Sequence, residues 1–287
     1  MKRIALYACV IAAGALSCGT GPAPGPAAVS AKGWRTLESG LELGTFTISR
    51  GSSVDQAELT VIRIDPERWI LEVAGRSTGG ETKSVTAGDW CRKYGLAAAI
   101  NAGMFATDYV THVGYLRHRD RVLSAHRNAY RSVAAFDPRS EGEGMPRFRM
   151  FDLDAEGSGW GEILRDYRSV AQNLRLIRRP GENVWDPRGT EAWSEAALAE
   201  DDRGRILFLF CRAPVTMHHL NRQILALGIG IVTAQHLEGG PEAQIYVRAG
   251  GVEIERFGIF ETSDPETDSG NRWPIPNVLG IRRREIR

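Results

Sequence analysis

Paired cysteines, excess charge and long apolar runs are all scarce in this sequence, and each scarcity excludes something. The 287 residues hold four cysteines and six histidines, with no CxxC pair and no HExxH, so zinc-type ligand spacing is missing. The 36 basic and 35 acidic side chains nearly cancel. The only dense basic run, IRRREIR at the end of the chain, reads as a solvated tail, so no nucleic-acid or other polyanion surface is expected. An N-terminal apolar run at residues 4–16 is too short to cross a bilayer of roughly 30 Å. Two enzyme signatures also fail. GIGIVTA lacks the third glycine of a dinucleotide fingerprint, and GSGWG around Ser158 has Glu156 where a nucleophile elbow needs its first glycine.

What is present begins with Lys2 and Arg3 ahead of the apolar run, which together read as an export signal over residues 1–18. Ala15, Leu16 and Ser17 before Cys18 resemble the lipobox of bacterial lipoproteins, in which that cysteine becomes the lipidated N-terminus; ordinary cleavage nearby, without lipid, is the alternative. Residues 19–33 are Gly, Pro and Ala-rich with nothing to bury, and read as a tether. One folded domain then spans 34–287, starting near Trp34. Cys91 and Cys211 remain in the mature chain. An oxidising envelope permits a bridge between them, yet each lies in an apolar pattern that favours two separate buried thiols.

Within the domain, LTVIRIDPERWILEV predicts strands at 59–64 and 69–73 around an Asp65-Pro66 turn. Ser84 is placed as the cap of a helix whose apolar face is Ala87, Trp90, Cys91 and Tyr94 and which Gly95 ends. A strand at 96–100 then runs into NAGMF. The order repeats: RILFLFC as a buried strand, Thr216 as a cap, and a helix face of Met217, Leu220, Ile224 and Leu227. A strand at 229–237 follows and runs into EGGPEA. With a return strand at 244–248, the EGGPEA segment is predicted to be the mouth of a hairpin. Between the two units, 131–136, 147–153 and 171–177 read as short strand-like pieces and SEAALAEDDRGR as a turn. Residues 258–271 read as a polar loop. The element order argues a single mixed α/β (α+β) domain with strands outnumbering helices.

The chemistry concentrates in the two loops. Gly239 and Gly240 permit close backbone approach and positive φ, and Pro241 stiffens the exit. Glu238, at the end of an apolar strand, is a carboxylate at the core edge that needs a partner or a purpose. His236 points to the same strand end or to the solvent face. His218 and His219 read as one surface and one packed histidine rather than metal ligands.

NAGMF at 101–105, THVGYL at 111–116, HLEGGPEA at 236–243 and WPIPNVLGI at 273–281 resemble, in this succession, the phosphodiester glycosidase family. The resemblance implies β-sheets layered between helices. It lays the family's Asn-Gly-Gly loop on Asn101, Ala102 and Gly103, a following glycine on Gly114, and the family's Leu-Asp-Gly-Gly-Gly-Ser on residues 237–242. Here Glu238 replaces aspartate, Pro241 removes an N–H, and Glu242 puts negative charge where the family has a hydroxyl, which opposes a phosphodiester. On this reading Glu238 and Glu242 form a carboxylate pair for glycosidic cleavage. Asn101 orients a sugar hydroxyl or phosphate oxygen, Gly103, Gly239 and Gly240 supply backbone donors, and Arg127 and Arg131 are anion clamps or plain surface arginines. The expected protein is an envelope hydrolase of a carbohydrate or sugar-phosphate substrate, facing the periplasm or cell surface and touching membrane only through its lipid. It needs no cofactor on this reading, with a divalent metal left open. A carbohydrate- or envelope-binding lipoprotein on the same fold, without turnover, is the alternative.

Overall fold

The computed structural model describes residues 30–51, 55–140, 144–155, 159–263 and 272–285. The export signal, Cys18 and most of the tether lie outside these residues, as do Glu156, Ser158 and much of the loop at 258–271. Four strands come first: β1 (Ser30–Glu38), β2 (Leu41–Ser49), β3 (Gln56–Ile64) and β4 (Trp69–Gly75). Helix α1 (Ala87–Tyr94) leads to β5 (Ala98–Asn101), followed by β6 (Leu116–His118), β7 (Arg121–Ser124), β8 (Ser132–Pro138) and β9 (Phe148–Asp152). Helix α2 (Trp160–Asp166) runs into β10 (Tyr167–Arg178), then β11 (Glu182–Asn183), β12 (Ala192–Asp201) and β13 (Ile206–Thr216). Last come α3 (Met217–Ala226), β14 (Ile231–Gly239), β15 (Gln244–Ala249), β16 (Val252–Phe257) and β17 (Asn277–Arg283). Strand β1 thus begins inside the segment read as tether.

These strands form two sheets. The larger has twelve strands with the main order β1-β2-β3-β13-β12-β14-β10-β6-β7, and the smaller runs β16-β15-β5-β17-β4. Their facing sides enclose the main core, in which Ile62, Leu198, Phe208 and Leu237 of the large sheet meet Val73, Ile100, Ile245 and Leu279 of the small one. Runs such as ILFLFC in β13 are buried on both faces, because the outer face of the large sheet is covered as well.

Helix α3 supplies part of that cover, setting Met217, Leu220 and Ile224 against Leu207, Leu209 and Cys211. Helix α1 packs Trp90 and Cys91 on the outer face of the small sheet, and the Trp90 indole N–H donates to the Ile275 carbonyl at 2.9 Å. Its cap is Thr86, whose hydroxyl accepts from the Asp89 amide, and not Ser84; Gly95 closes it in the left-handed region at φ 65°. The two cysteines are free thiols, buried in different clusters.

The expected mixed sheets layered between helices are corrected. The protein is mostly strand, every pairing among the described residues is antiparallel, and three short helices cover only patches of the outer faces. The expected turn over SEAALAEDDRGR is also corrected: SEAALAED lies in β12, hydrogen-bonded between β13 and β14. The two strand-helix-strand units do share a plan. β4 and β5 flank β17, and β13 and β14 flank β12, each pair being antiparallel to the strand between.

The third correction concerns EGGPEA. β14 and β15 do not form a hairpin, because β14 belongs to the large sheet and β15 pairs with β5 and β16 in the small one. Residues Gly240–Glu242 make a 3-10 turn with Pro241 buried, and they carry the chain from one sheet to the other.

Candidate active site

That crossing is set by the end of β5. Asn101 is 1% exposed. Its Oδ1 accepts from the Gln244 N–H at 2.7 Å, and its Nδ2 donates to the Glu242 carbonyl at 2.9 Å. Both ends of the amide, expected to orient substrate, therefore hold the loop and start β15. Asn101→Ala would orphan a buried N–H and a buried C=O, at about 1–3 kcal/mol each. We expect Asn101→Ala to lower the free energy of unfolding by about 2–5 kcal/mol in denaturant titrations, and a loss under about 1 kcal/mol would remove this role.

The glycines around the crossing are sites of close approach. A Cβ on Gly239 would stand 2.6 Å from Cδ1 of Trp193, and one on Gly103, at φ 140°, would stand 2.2 Å from Oδ1 of Asn173. Gly240 adopts φ 64°. Of the expected backbone donors, the Gly239 N–H already donates to Oε1 of Glu238 at 3.1 Å.

Glu238 is partly buried at the end of β14, where a β-bulge separates its pairing with Ala196 from that of His236 with Ala197. Such bulges re-aim a strand end. Burial pushes the Glu238 carboxyl up to about 7, and the charges of Glu242 and Glu195 add to the rise while His236 opposes it. Glu242 is also raised, through loss of solvation, and its carboxylate folds back toward Gly240.

Behind Glu238 stands a buried pair. Nδ1 of His236 lies 2.8 Å from both carboxylate oxygens of Glu195, and the Trp193 indole N–H donates to the same carboxylate at 2.8 Å. Burial alone disfavours charge on His236, but the charge and hydrogen bond of Glu195 outweigh it and raise the imidazole above its ordinary value. The pair joins two strands, since Glu195 is in the first half of β12 and His236 is near the end of β14.

Tyr130 has its phenol within electrostatic reach of Glu238. Burial, and then the charge of Glu238, raise its phenol, and its loop is tied down by Gln172, whose Nε2 donates to the Tyr130 carbonyl at 2.8 Å. The arginines have other partners. Arg127 stacks 4.7 Å from the Trp160 ring and 5.2 Å from Tyr115, and Arg131 pairs with Asp154 at 3.4 Å. His218 and His219 contact the backbone carbonyls of Trp185 and Ser49. Among the described residues no three His, Cys, Asp or Glu side chains converge to hold a metal ion.

Glu195 and Tyr130 escaped sequence reasoning. Glu195 sits in an Ala- and acid-rich run whose composition resembles a solvated turn. Its one available signal was alternation, with Glu195, Ala197 and Ala199 falling on one face of a strand.

The phosphodiester glycosidase family model matches residues 94–282. The catalytic domain of zebrafish N-acetylglucosamine-1-phosphodiester α-N-acetylglucosaminidase, in a form auto-inhibited by its pro-peptide, superposes with a TM-score of 0.65 at 11% identity, covering 90% of this chain and 88% of that one. A hypothetical protein from Synechocystis gives 0.57 at 13% identity, covering 92% of this chain and 64% of the other. No curated protein matches the sequence significantly. The family model takes in β5, β14 and the crossing that Asn101 holds, and with it well over half of the sequence: the chain belongs to the phosphodiester glycosidase family.

Proposed function

We propose that this protein is an exported hydrolase of the bacterial envelope, anchored by lipid at Cys18, that cleaves a glycosidic or sugar-phosphodiester bond in a carbohydrate-containing substrate. The observation that carries this reading is Glu238: a carboxyl raised to about 7 at the loop where the family places its own carboxylate. A group that is half protonated near neutrality is suited to give a proton to a leaving oxygen. In that step the bond from the anomeric carbon to the leaving oxygen breaks, the Glu238 proton goes to that oxygen, and water supplies the hydroxyl that the sugar gains while its other proton goes to the Glu242 carboxylate. Glu242 is the second carboxylate. The Glu195–His236 pair holds a compensated charge behind Glu238 and Tyr130 borders it, while Asn101 acts indirectly by positioning the loop.

The alternative, a binding lipoprotein without turnover, draws on Pro241 and Glu242, which remove a donor and add a charge in the loop. The deciding measurement is hydrolysis of a panel of plain glycosides and sugar phosphodiesters by the full chain, in a detergent without a sugar headgroup. Turnover of any member above background supports the hydrolase. A folded protein that turns over none of them favours the binding reading.

A further inference from the structure

The end of the sandwich away from Glu238 holds a second concentration of charge. A pocket of about 310 Å³ there is lined by Arg119, Arg147, Arg168 and Arg284, among others. Its wall includes Ile206, the first residue of β13. Ile206 pairs with Glu200, and Glu200 with Thr233 of β14, which sets the pocket roughly 15 Å of strand away from Glu238. The terminal run IRRREIR, expected as a solvated tail, thus sends Arg284 into this wall.

Like charges gathered on one wall repel unless something offsets them. Arg119 gives one nitrogen, Nη2, to Glu72 at 3.1 Å, and Arg147 is held by Glu67 at 2.8 Å. Neither acid lines the pocket. Arg168 is exposed, and among the described residues its guanidinium has no ion pair or hydrogen bond. Asp137 is the one acid among the described lining residues. His118 adds no charge of its own, since burial, and then the charge of Arg119, lower it to about 4. The apolar lining includes the buried Trp69 and Phe136, and low-dielectric surroundings strengthen each contact to an anion.

The backbone around the pocket supports a binding role. Arg119 and Asp120 close the β6–β7 hairpin at φ 48° and 69°, in a two-residue turn that favours Asn and Gly, and Asp137 sits at φ 58°. Conformations held in this way gather at functional sites. Asp120 is taken by Arg139, while Arg119 lines the pocket. A guanidinium offers paired N–H groups that match two oxygens of a phosphate, and a phosphate monoester brings three acceptor oxygens and about −1.5 to −2 charge at neutral pH. We propose that this pocket binds the phosphate group of a monoester, at a site separate from Glu238 and independent of the hydrolase reading. Soluble polyol or sugar phosphates and phosphatidic acid headgroups both carry that group.

The experiment is calorimetric titration of the full chain, in a detergent without phosphate or sugar in its headgroup, with glycerol 3-phosphate, dihexanoyl phosphatidic acid and, as the uncharged control, glycerol. It is repeated in Arg168→Glu, Arg119→Gly and Glu238→Gln. The arginine variants should fold, because Arg168 is exposed, glycine suits the left-handed turn, and Glu72 keeps Arg282 at 2.8 Å. We expect glycerol 3-phosphate to bind and glycerol not to bind. Each arginine variant should lose about tenfold in affinity, and Glu238→Gln should stay within about twofold. Tighter binding of the lipid than of glycerol 3-phosphate assigns a headgroup as the source, and any other order a soluble ester; both orders keep the site. No binding of either phosphate, equal binding of glycerol, or an affinity unchanged in both arginine variants would overturn it. Loss of binding in Glu238→Gln alone would move the phosphate to the catalytic loop and overturn it as well.

Discussion

Glu238→Gln is expected to abolish most turnover while leaving the fold intact. Glutamine keeps the shape and can still accept from the Gly239 N–H, but it has no proton to give. Removing a general acid lowers rates by about 10²–10⁴-fold. The loss should depend on the leaving group, being large for an alkyl glycoside, whose alkoxide must be protonated, and small for a nitrophenyl glycoside, whose phenolate leaves unaided. In the wild type, activity should fall as pH rises through about 7, where Glu238 ionises. A loss of equal size for both leaving groups would argue against the acid role.

The same substitution should also change stability in a pH-dependent way. Glu238 titrates near 7 in the folded chain, against an ordinary value of 4.5. Between these values the folded state binds more protons than the unfolded state, so stability falls as pH rises. Each tenfold gain in proton affinity on folding corresponds to about 1.4 kcal/mol, and after allowance for the partial exposure of the group we expect Glu238→Gln to be more stable than the wild type by about 1–3 kcal/mol above a pH of about 7. Below pH 4.5, the ordinary carboxyl value, the two should converge. Denaturant titrations at pH values of about 4.5, 6 and 8, spanning the window between the two states, measure this directly. A site that is less stable with its functional carboxyl than without it follows a known trade-off between stability and activity.

The second large effect belongs to the buried pair. His236→Ala should lower stability by about 3–5 kcal/mol, because it leaves the Glu195 carboxylate buried with only the Trp193 N–H for company. Glu195→Gln combined with His236→Gln removes both charges and should recover a substantial part of that loss, so a thermodynamic cycle should be strongly non-additive. The pH dependence has a definite sign. His236 is raised above its ordinary 6.5, so its contribution is fully present below 6.5 and is lost as pH rises through the folded value. Glu238 acts in the same direction, and the wild-type stability should therefore decline on the alkaline side of neutrality. An additive cycle, or a His236→Ala protein with the wild-type pH profile, would count against the pair.

These two sites differ in how visible they were beforehand. Glu238 stood out because a carboxylate ends an apolar strand next to two glycines and a proline. Glu195 did not, because its significance depends on a histidine 41 positions away and on β12 lying between two other strands. Nearby Glu200 is similar: it is 1% exposed, receives Arg149 at 2.9 Å and accepts from the Met150 N–H at 2.7 Å. Acids in an Ala-rich run have no local feature that separates a buried, compensated carboxylate from a solvated one.

By itself the sequence determined the elements whose causes are local. Periodicity was sufficient for α1 and α3, Gly95 for the end of α1, the apolar run for the buried strand over RILFLFC, and the motifs in their order for the family. Tertiary structure decided which strands pair, since an antiparallel neighbour can lie anywhere in the chain and hydrogen-bonding potential is the same for every strand. It sent β15 into the opposite sheet, through the two hydrogen bonds of Asn101 to Glu242 and Gln244. It also set the ionisation of Glu238, because desolvation depends on how much protein surrounds a carboxyl, and that is a property of the packed molecule and not of any stretch of residues.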